Sequence, residues 1–169
     1  TLLNKKHRHE LRRKLRRLES AGEAISGELS EATDVAACLP TFFSLMRRSS
    51  PEKAVFLTQE REAFFQSLII ELSQEGLAKL GYLDIDGQRV AASIYFVNRD
   101  VKLLYNSGYD PDFANLSVGL LNHAYNIRRS IEQGFSKFDF MRGGESYKYH
   151  LGATDVTLHK ITMIRNSVE

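Results

Sequence analysis

The stretch from Val101 to Gly152 restricts the fold more than any other part of the chain. VKLLYNSGY, Val101 to Tyr109, alternates as a strand, and Asp110-Pro111 breaks it. Ser117 to about Gln133 then reads as a helix. It places Leu120, Leu121, Ala124, Ile127 and Ile131 on an inward face, with Gly134 as its stop. KFDFM follows as a short strand that returns parallel to the first, giving a β-α-β unit. A strand that feeds a helix N-terminus presents free backbone N–H groups and a positive dipole end, so the unit contains a ready site for a phosphate.

The preceding segments surround that unit. Leu11, Leu15 and Leu18 share one face of a basic amphipathic helix that Gly22 can end. AISGEL alternates as a strand from Ala24 to Leu29. A second helix, capped by Thr33 or Asp34, reaches about Arg48 and stops before Pro51. A third runs from about Glu60 to Gln74 with Phe64, Phe65, Leu68, Ile69 and Leu72 buried and Gly76 as its end. The period then changes from 3.6 to 2. Leu77 to Ile85 and Arg89 to Val97 form a hairpin around Asp86-Gly87, a dipeptide suited to positive φ, and a turn at Asn98-Arg99-Asp100 leads to the Val101 strand. A last strand is expected from Thr157 to Ile164.

At 169 residues and 43% hydrophobic, the chain has material for one domain, an α/β or α+β unit with a mostly antiparallel mixed sheet. It opens at Thr1 without an initiator Met, which points to a segment of a longer protein. No apolar run approaches the ~18–20 residues that span a bilayer, and the charged start is unlike a signal peptide, so the chain reads as soluble and cytoplasmic. Cys38 is the single cysteine, which excludes an internal disulfide and cysteine-rich metal sites, and it reads as a small core residue. His7 and His9 lie two apart on a helix and share no face; His123, His150 and His159 are scattered. No metal site is expected.

The net charge of +2 conceals an asymmetry: Thr1 to Ser20 carries +6 and the remainder −4. The cationic helix fits a solvated face, contact with a nucleic acid or anionic membrane, or contact with the phosphates of a nucleotide-linked substrate. It lacks the interleaved aromatics of a single-strand binder.

The order helix, strand, two helices, three-strand meander, helix, strand, final strand matches the acyl-CoA N-acyltransferase (GNAT) fold. KKHRHELRRKLRRLESAG, GYLDIDGQRVAASIYF, LLYNSGYDPDFANLSVGLLNHAY and KFDFMRGGESYKYHLGA resemble, in order and spacing, the BioF2-like (CelD-like) acetyltransferase branch over about His7 to Gly152. The resemblance implies a GNAT fold and an acyltransferase that moves an acyl group, typically acetyl, from acyl-CoA to an amine or hydroxyl of a sugar or cell-envelope precursor. Members of the branch often carry two GNAT-like halves, so it also implies that residues 1–169 are the C-terminal half, with a second GNAT-like domain as partner. Relatives include the Fem aminoacyltransferases. Two alternatives therefore stand: an aminoacyltransferase dependent on aminoacyl-tRNA, and a non-catalytic GNAT-like half supporting a partner domain.

The resemblance assigns residues. Ser117, Val118, Gly119 and Leu120 would hold the coenzyme pyrophosphate, although of the two glycines in the usual loop only Gly119 is present. The same residues also read as a helix cap and a packing glycine. Tyr105, Asn106, Ser107 and Gly108 would offer main-chain groups to the pantetheine amides, with a bulge expected at Gly108; a plain turn approach explains them as well. Asp139, Tyr147 and Lys148 match residues that recur in the branch. Asp139 or Glu145 fits a general base, Tyr147 or Tyr149 a proton donor to the leaving thiolate, and Arg142 with Lys148 an anionic acceptor or phosphate. Structural ion pairs around a glycine turn account for the same set.

Overall fold

Asp86 and Gly87 take φ of 50° and 78°, the left-handed pair of a tight hairpin, and Arg99 takes 56° in the next turn. These two turns fold the chain centre into the expected meander. A computed structural model describes residues 3–163. In chain order it contains α1 (Lys5–Glu19), β1 (Ala24–Leu29), α2 (Ala32–Ser49), α3 (Pro51–Phe56), α4 (Gln59–Gln74), β2 (Ala78–Ile85), β3 (Gln88–Asn98), β4 (Val101–Tyr109), a 3-10 helix (Pro111–Leu116), α5 (Val118–Glu132), β5 (Lys137–Asp139) and α6 (Ser146–His150). Among the described residues the strands form one sheet in sequence order. It is antiparallel from β1 to β4 and parallel between β4 and β5.

The two faces of the sheet differ in chemistry. α2 and α4 cover one with an apolar layer: Val35, Leu39, Phe42, Phe43 and Met46 meet Leu80, Ala92 and Ile94, all buried. Each of these side chains except Ala92 contributes roughly 1.5–3 kcal/mol of transfer free energy. α1 and α5 cover the other. Leu18 of α1 and Val118 and Leu121 of α5 join Leu83, Ile85 and Val90 in a smaller cluster, against which Leu11 and Leu15 also pack. The expected stripe of α1 is thus its docking face. No helix among the described residues is long and apolar enough to cross a membrane.

Several expectations are corrected. Pro51 does not only stop α2; it is the first residue of α3, where its missing N–H costs nothing and the Ser50 hydroxyl caps Lys53 N. α2 begins after Glu31, without a side-chain cap from Thr33 or Asp34. Phe64 is 61% exposed, because Ile69 and Ser73 carry the buried line of α4. Ile131 is 70% exposed: α5 turns Asn122, His123, Asn126 and Ser130 to the sheet. These side chains are satisfied there. Asn122 donates to Ser93 Oγ at 2.9 Å, and Ser130 to Asn126 O at 2.7 Å. The bulge lies at Tyr105, not Gly108, since Ile94 opposes Asn106 while Tyr95 opposes Leu104. Gly108 serves instead for close approach. A Cβ there would stand 2.2 Å from Met46 N of α2. The segment from Thr157 to Met163 joins no strand and leaves Leu158, Ile161 and Met163 exposed; Ile164, the end of that expected strand, lies outside the described residues. A five-residue helix, α6, appears where none was expected.

Candidate active site

β4 and β5 pair over only three positions, Val101–Lys137, Lys102–Phe138 and Leu103–Asp139. Beyond Leu103, β4 runs on to Tyr109 against β3 alone, and the bulge at Tyr105 bends it there. β5 ends at Asp139, so from Leu104 to Gly108 the main chain of β4 has no strand partner on that edge, and this unpaired stretch borders the opening. The Tyr105 ring packs between Phe65 and Phe96, at 5.5 and 5.1 Å between centroids, so its side chain belongs to the apolar layer. Asn106 Oδ1 accepts from Ser107 N at 2.9 Å. The Ser107 carbonyl accepts from Lys53 Nζ of α3.

The far end of β4 leads through the 3-10 helix into α5. Ser117 is left-handed, with φ 59° and ψ 36°, and gives the helix no side-chain cap. Its hydroxyl accepts instead from Lys14 Nζ of α1 at 2.7 Å. The first backbone bond of α5 runs from Leu121 N to Ser117 O, so the amides of Val118, Gly119 and Leu120 are its open donors. A Cβ on Gly119 would lie 3.1 Å from the Tyr109 ring, so the first turn sits close on the end of β4.

At the other side of the opening, the turn after β5 gathers Asp139, Arg142, Glu145, Tyr147 and Lys148. Asp139 accepts from Met141 N at 2.7 Å and pairs with Lys137 at 2.9 Å; the Lys137 bond holds its carboxyl below the usual range. Lys148, 5% exposed, donates to the carbonyls of Arg142 (2.8 Å) and Gly143 (3.1 Å) and pairs with Glu145 at 2.8 Å. Its ammonium ties the glycine turn together. The Lys148 bond, with the charge of Lys53 adding to it, holds Glu145 below the usual carboxylate range. Arg142 points to solvent from the same turn. Tyr149 is drawn off to Asp155 at 2.7 Å.

An aromatic stack joins the two ends. Tyr147 stacks on His123 of α5 at 5.3 Å and 18°, and meets Phe140 edge-on at 6.2 Å. Burial pushes the Tyr147 phenol up to about 12, and its hydroxyl makes no hydrogen bond among the described residues. His123 Nδ1 lies 3.3 Å from the Tyr95 hydroxyl, and burial, helped by Lys53 and Lys148, lowers the imidazole to about 3, so it is neutral. Lys53 is pushed below the usual lysine range by burial, with Glu145 opposing.

Sequence reasoning missed Lys53, Lys14 and the central place of His123. Lys14 had a local signal: it stands three residues after Leu11 and four before Leu18, on the docking face of α1. Lys53 had none, because only the tertiary fold brings α3 to Ser107.

An extended main-chain edge ending at open amides and an ammonium fits a ligand with an amide-bearing arm and a phosphate end. Residues 5–149 match the acetyltransferase (GNAT) domain model. The chain belongs to the GNAT acetyltransferase family. GNAT acetyltransferases use acetyl-CoA, and this one is an acetyltransferase of that type. No curated protein matches the sequence. Among solved structures, the fold is similar to the aminoglycoside N-acetyltransferase AAC(6')-Iy bound to a CoA bisubstrate analogue, with a TM-score of 0.59 and 13% identity over 85% of this chain and 99% of that one. It is similar to an aminoglycoside acetyltransferase from an uncultured soil metagenomic sample in complex with sisomicin, with a TM-score of 0.55 and 16% identity over 84% and 97%. It is also similar to a ribosomal-protein-alanine N-acetyltransferase from Brucella melitensis, with a TM-score of 0.52 and 12% identity over 83% and 99%. Among the described residues, no cluster of His, Cys, Asp and Glu could hold a metal.

Proposed function

We propose that this GNAT domain transfers an acetyl group from acetyl-CoA to an amine on a sugar or cell-envelope precursor in the bacterial cytoplasm, as a member of the BioF2-like branch. The edge of β4 left unpaired after Leu103, with the open amides of α5 at one end and Tyr147 at the other, carries the reading. The aminoglycoside acetyltransferases of similar fold support an amine-bearing saccharide as acceptor.

When bound, acetyl-CoA supplies the thioester carbon that the acceptor nitrogen attacks directly. The main chain of Tyr105 to Gly108 aligns the pantetheine arm, and Val118, Gly119 and Leu120 hold the pyrophosphate. Glu145, ionised and more than half exposed at its side chain, takes the proton released by the acceptor, directly or through a water. Tyr147, kept protonated by burial, returns a proton to sulfur as the C–S bond breaks. Asp139 and Lys148 act as positioning residues that fix the turn, Arg142, exposed on the same turn, is the cation available to an anionic group of the acceptor, and Tyr149 would have to leave Asp155 to reach it.

Thiol release from acetyl-CoA, followed with a panel of amino sugars and aminoglycosides, tests the proposal. Turnover with an amine-bearing saccharide is expected. A chain that binds acetyl-CoA but releases no thiol with any of them would overturn the acceptor class, and a chain that does not bind acetyl-CoA would overturn the donor.

A further inference from the structure

The opening between β4 and the turn after β5 carries cations that its carboxylates do not match. Asp139 pairs with Lys137 at 2.9 Å and Glu145 with Lys148 at 2.8 Å, so both carboxylates of the turn are engaged. Lys53 and Arg142 differ: among the described residues neither forms an ion pair. Lys53 is half-buried on α3, and the bond its ammonium makes is to the Ser107 carbonyl, on the stretch of β4 that has no strand partner on its outer edge. An ammonium carries three donors, so two remain for another group. A charge taken partly out of water without a counter-ion costs free energy until an anion meets it. Burial accordingly pushes the Lys53 amine below the usual lysine range. Glu145 offsets only part of this, because Lys148 already holds its carboxylate. Arg142 lies on the same rim: Lys148 Nζ donates to the Arg142 carbonyl at 2.8 Å while pairing with Glu145, and the Arg142 side chain stays exposed.

We infer that the acceptor carries an acid as well as an amine: Lys53, with Arg142 at the rim, binds a carboxylate or phosphate on the amino sugar while Glu145 takes the proton from its nitrogen. The inference rests on the proposed acetyl transfer and narrows its acceptor. The charge pattern acts on both groups of such a substrate. A cation at the opening repels a second ammonium, so polycationic amines enter poorly, and a single amine held there gives up its proton more readily. An anionic group on the same sugar offsets that repulsion and anchors the ring, which holds the nitrogen in one orientation for attack. The aminoglycoside acetyltransferases of similar fold are 13% and 16% identical to this chain, too distant to carry the charge of their acceptors across.

Thiol release from acetyl-CoA with four matched acceptors tests the inference: glucosamine, glucosamine 6-phosphate, muramic acid and sisomicin. The wild type should use the phosphate- or carboxylate-bearing sugar with kcat/KM about ten-fold or more above glucosamine, the size of one charged hydrogen bond, and sisomicin least well. The better of the two acids identifies the anion. Lys53→Gln should raise KM for that acid until its kcat/KM is about equal to that of glucosamine, whereas a merely structural loss would lower both alike. Lys53→Arg should keep the preference. Arg142→Gln, at an exposed position, should reduce it by a smaller factor. Equal use of glucosamine and both acids, better use of sisomicin, or a preference that survives Lys53→Gln would overturn the inference while leaving acetyl transfer to an amino sugar intact. Thiol release with none of the four would overturn the proposed acceptor class itself.

Discussion

The two faces of the sheet divide stability from chemistry. The face under α2 and α4 is a continuous layer of Leu, Phe, Met and Ile side chains whose buried area holds the sheet. The face under α5 buries Ser93, Asn122, His123, Asn126, Ser130 and Lys102, each with a partner, Lys102 pairing with the largely covered carboxylate of Glu28. Such a network is costly if broken and specific while intact. It places a neutral imidazole and a phenol at a fixed distance behind the opening between β4 and β5, which an apolar layer of the same volume would not do.

Breaking the apolar face should give the largest effect. Phe42→Ala should cost about 3–5 kcal/mol by urea unfolding, with acetyl-CoA affinity of the folded protein unchanged. On the polar face, Glu28→Gln leaves the fully buried Lys102 without its carboxylate and should cost about 3 kcal/mol. A pH series sharpens that contrast. Burial alone would raise Glu28, but Lys102, Gln133 and Lys79 bring its carboxyl below the ordinary 4.5. A lowered folded value means stability that is complete above the unfolded value and lost as the pH falls through the folded one. The wild type should therefore weaken on acidification below about 4.5, and Glu28→Gln should show a smaller loss across the same range. Tyr147→Phe should lower kcat about 100-fold while Kd for acetyl-CoA stays constant, as expected of a proton donor. Arg128→Gln, which removes an exposed i,i+4 pair, should change stability by less than about 0.5 kcal/mol.

The two faces were unequally legible in the sequence. The apolar residues of the meander and the Asp86-Gly87 turn announce the strands, because alternation and positive φ leave local marks. β5 could be read because Phe138 and Phe140 flank Asp139 on a strand too short for much else. The α5 face was misread for a physical reason. Ile127 and Ile131 suggested an inward stripe, yet the sheet beneath offers Gly81 and Ser93, and the helix meets them with Asn126 and Asn122. The bulge at Tyr105 left no mark, since it depends on the register of β3. Ser117 and Lys14, and Ser107 and Lys53, meet across long separations, so no spacing rule could pair them.

The proposed function puts the donor along the free edge of β4 with its pyrophosphate on the first turn of α5. Melting temperatures of the wild type and of Gly119→Glu, each with and without saturating acetyl-CoA, test it most directly. Ligand at ~100 times its Kd stabilises by ~2.7 kcal/mol, a rise of about 5–10 °C for a chain of this size. That rise is expected in the wild type and none in Gly119→Glu, where a carboxylate stands among the amides. Equal rises in both would contradict it.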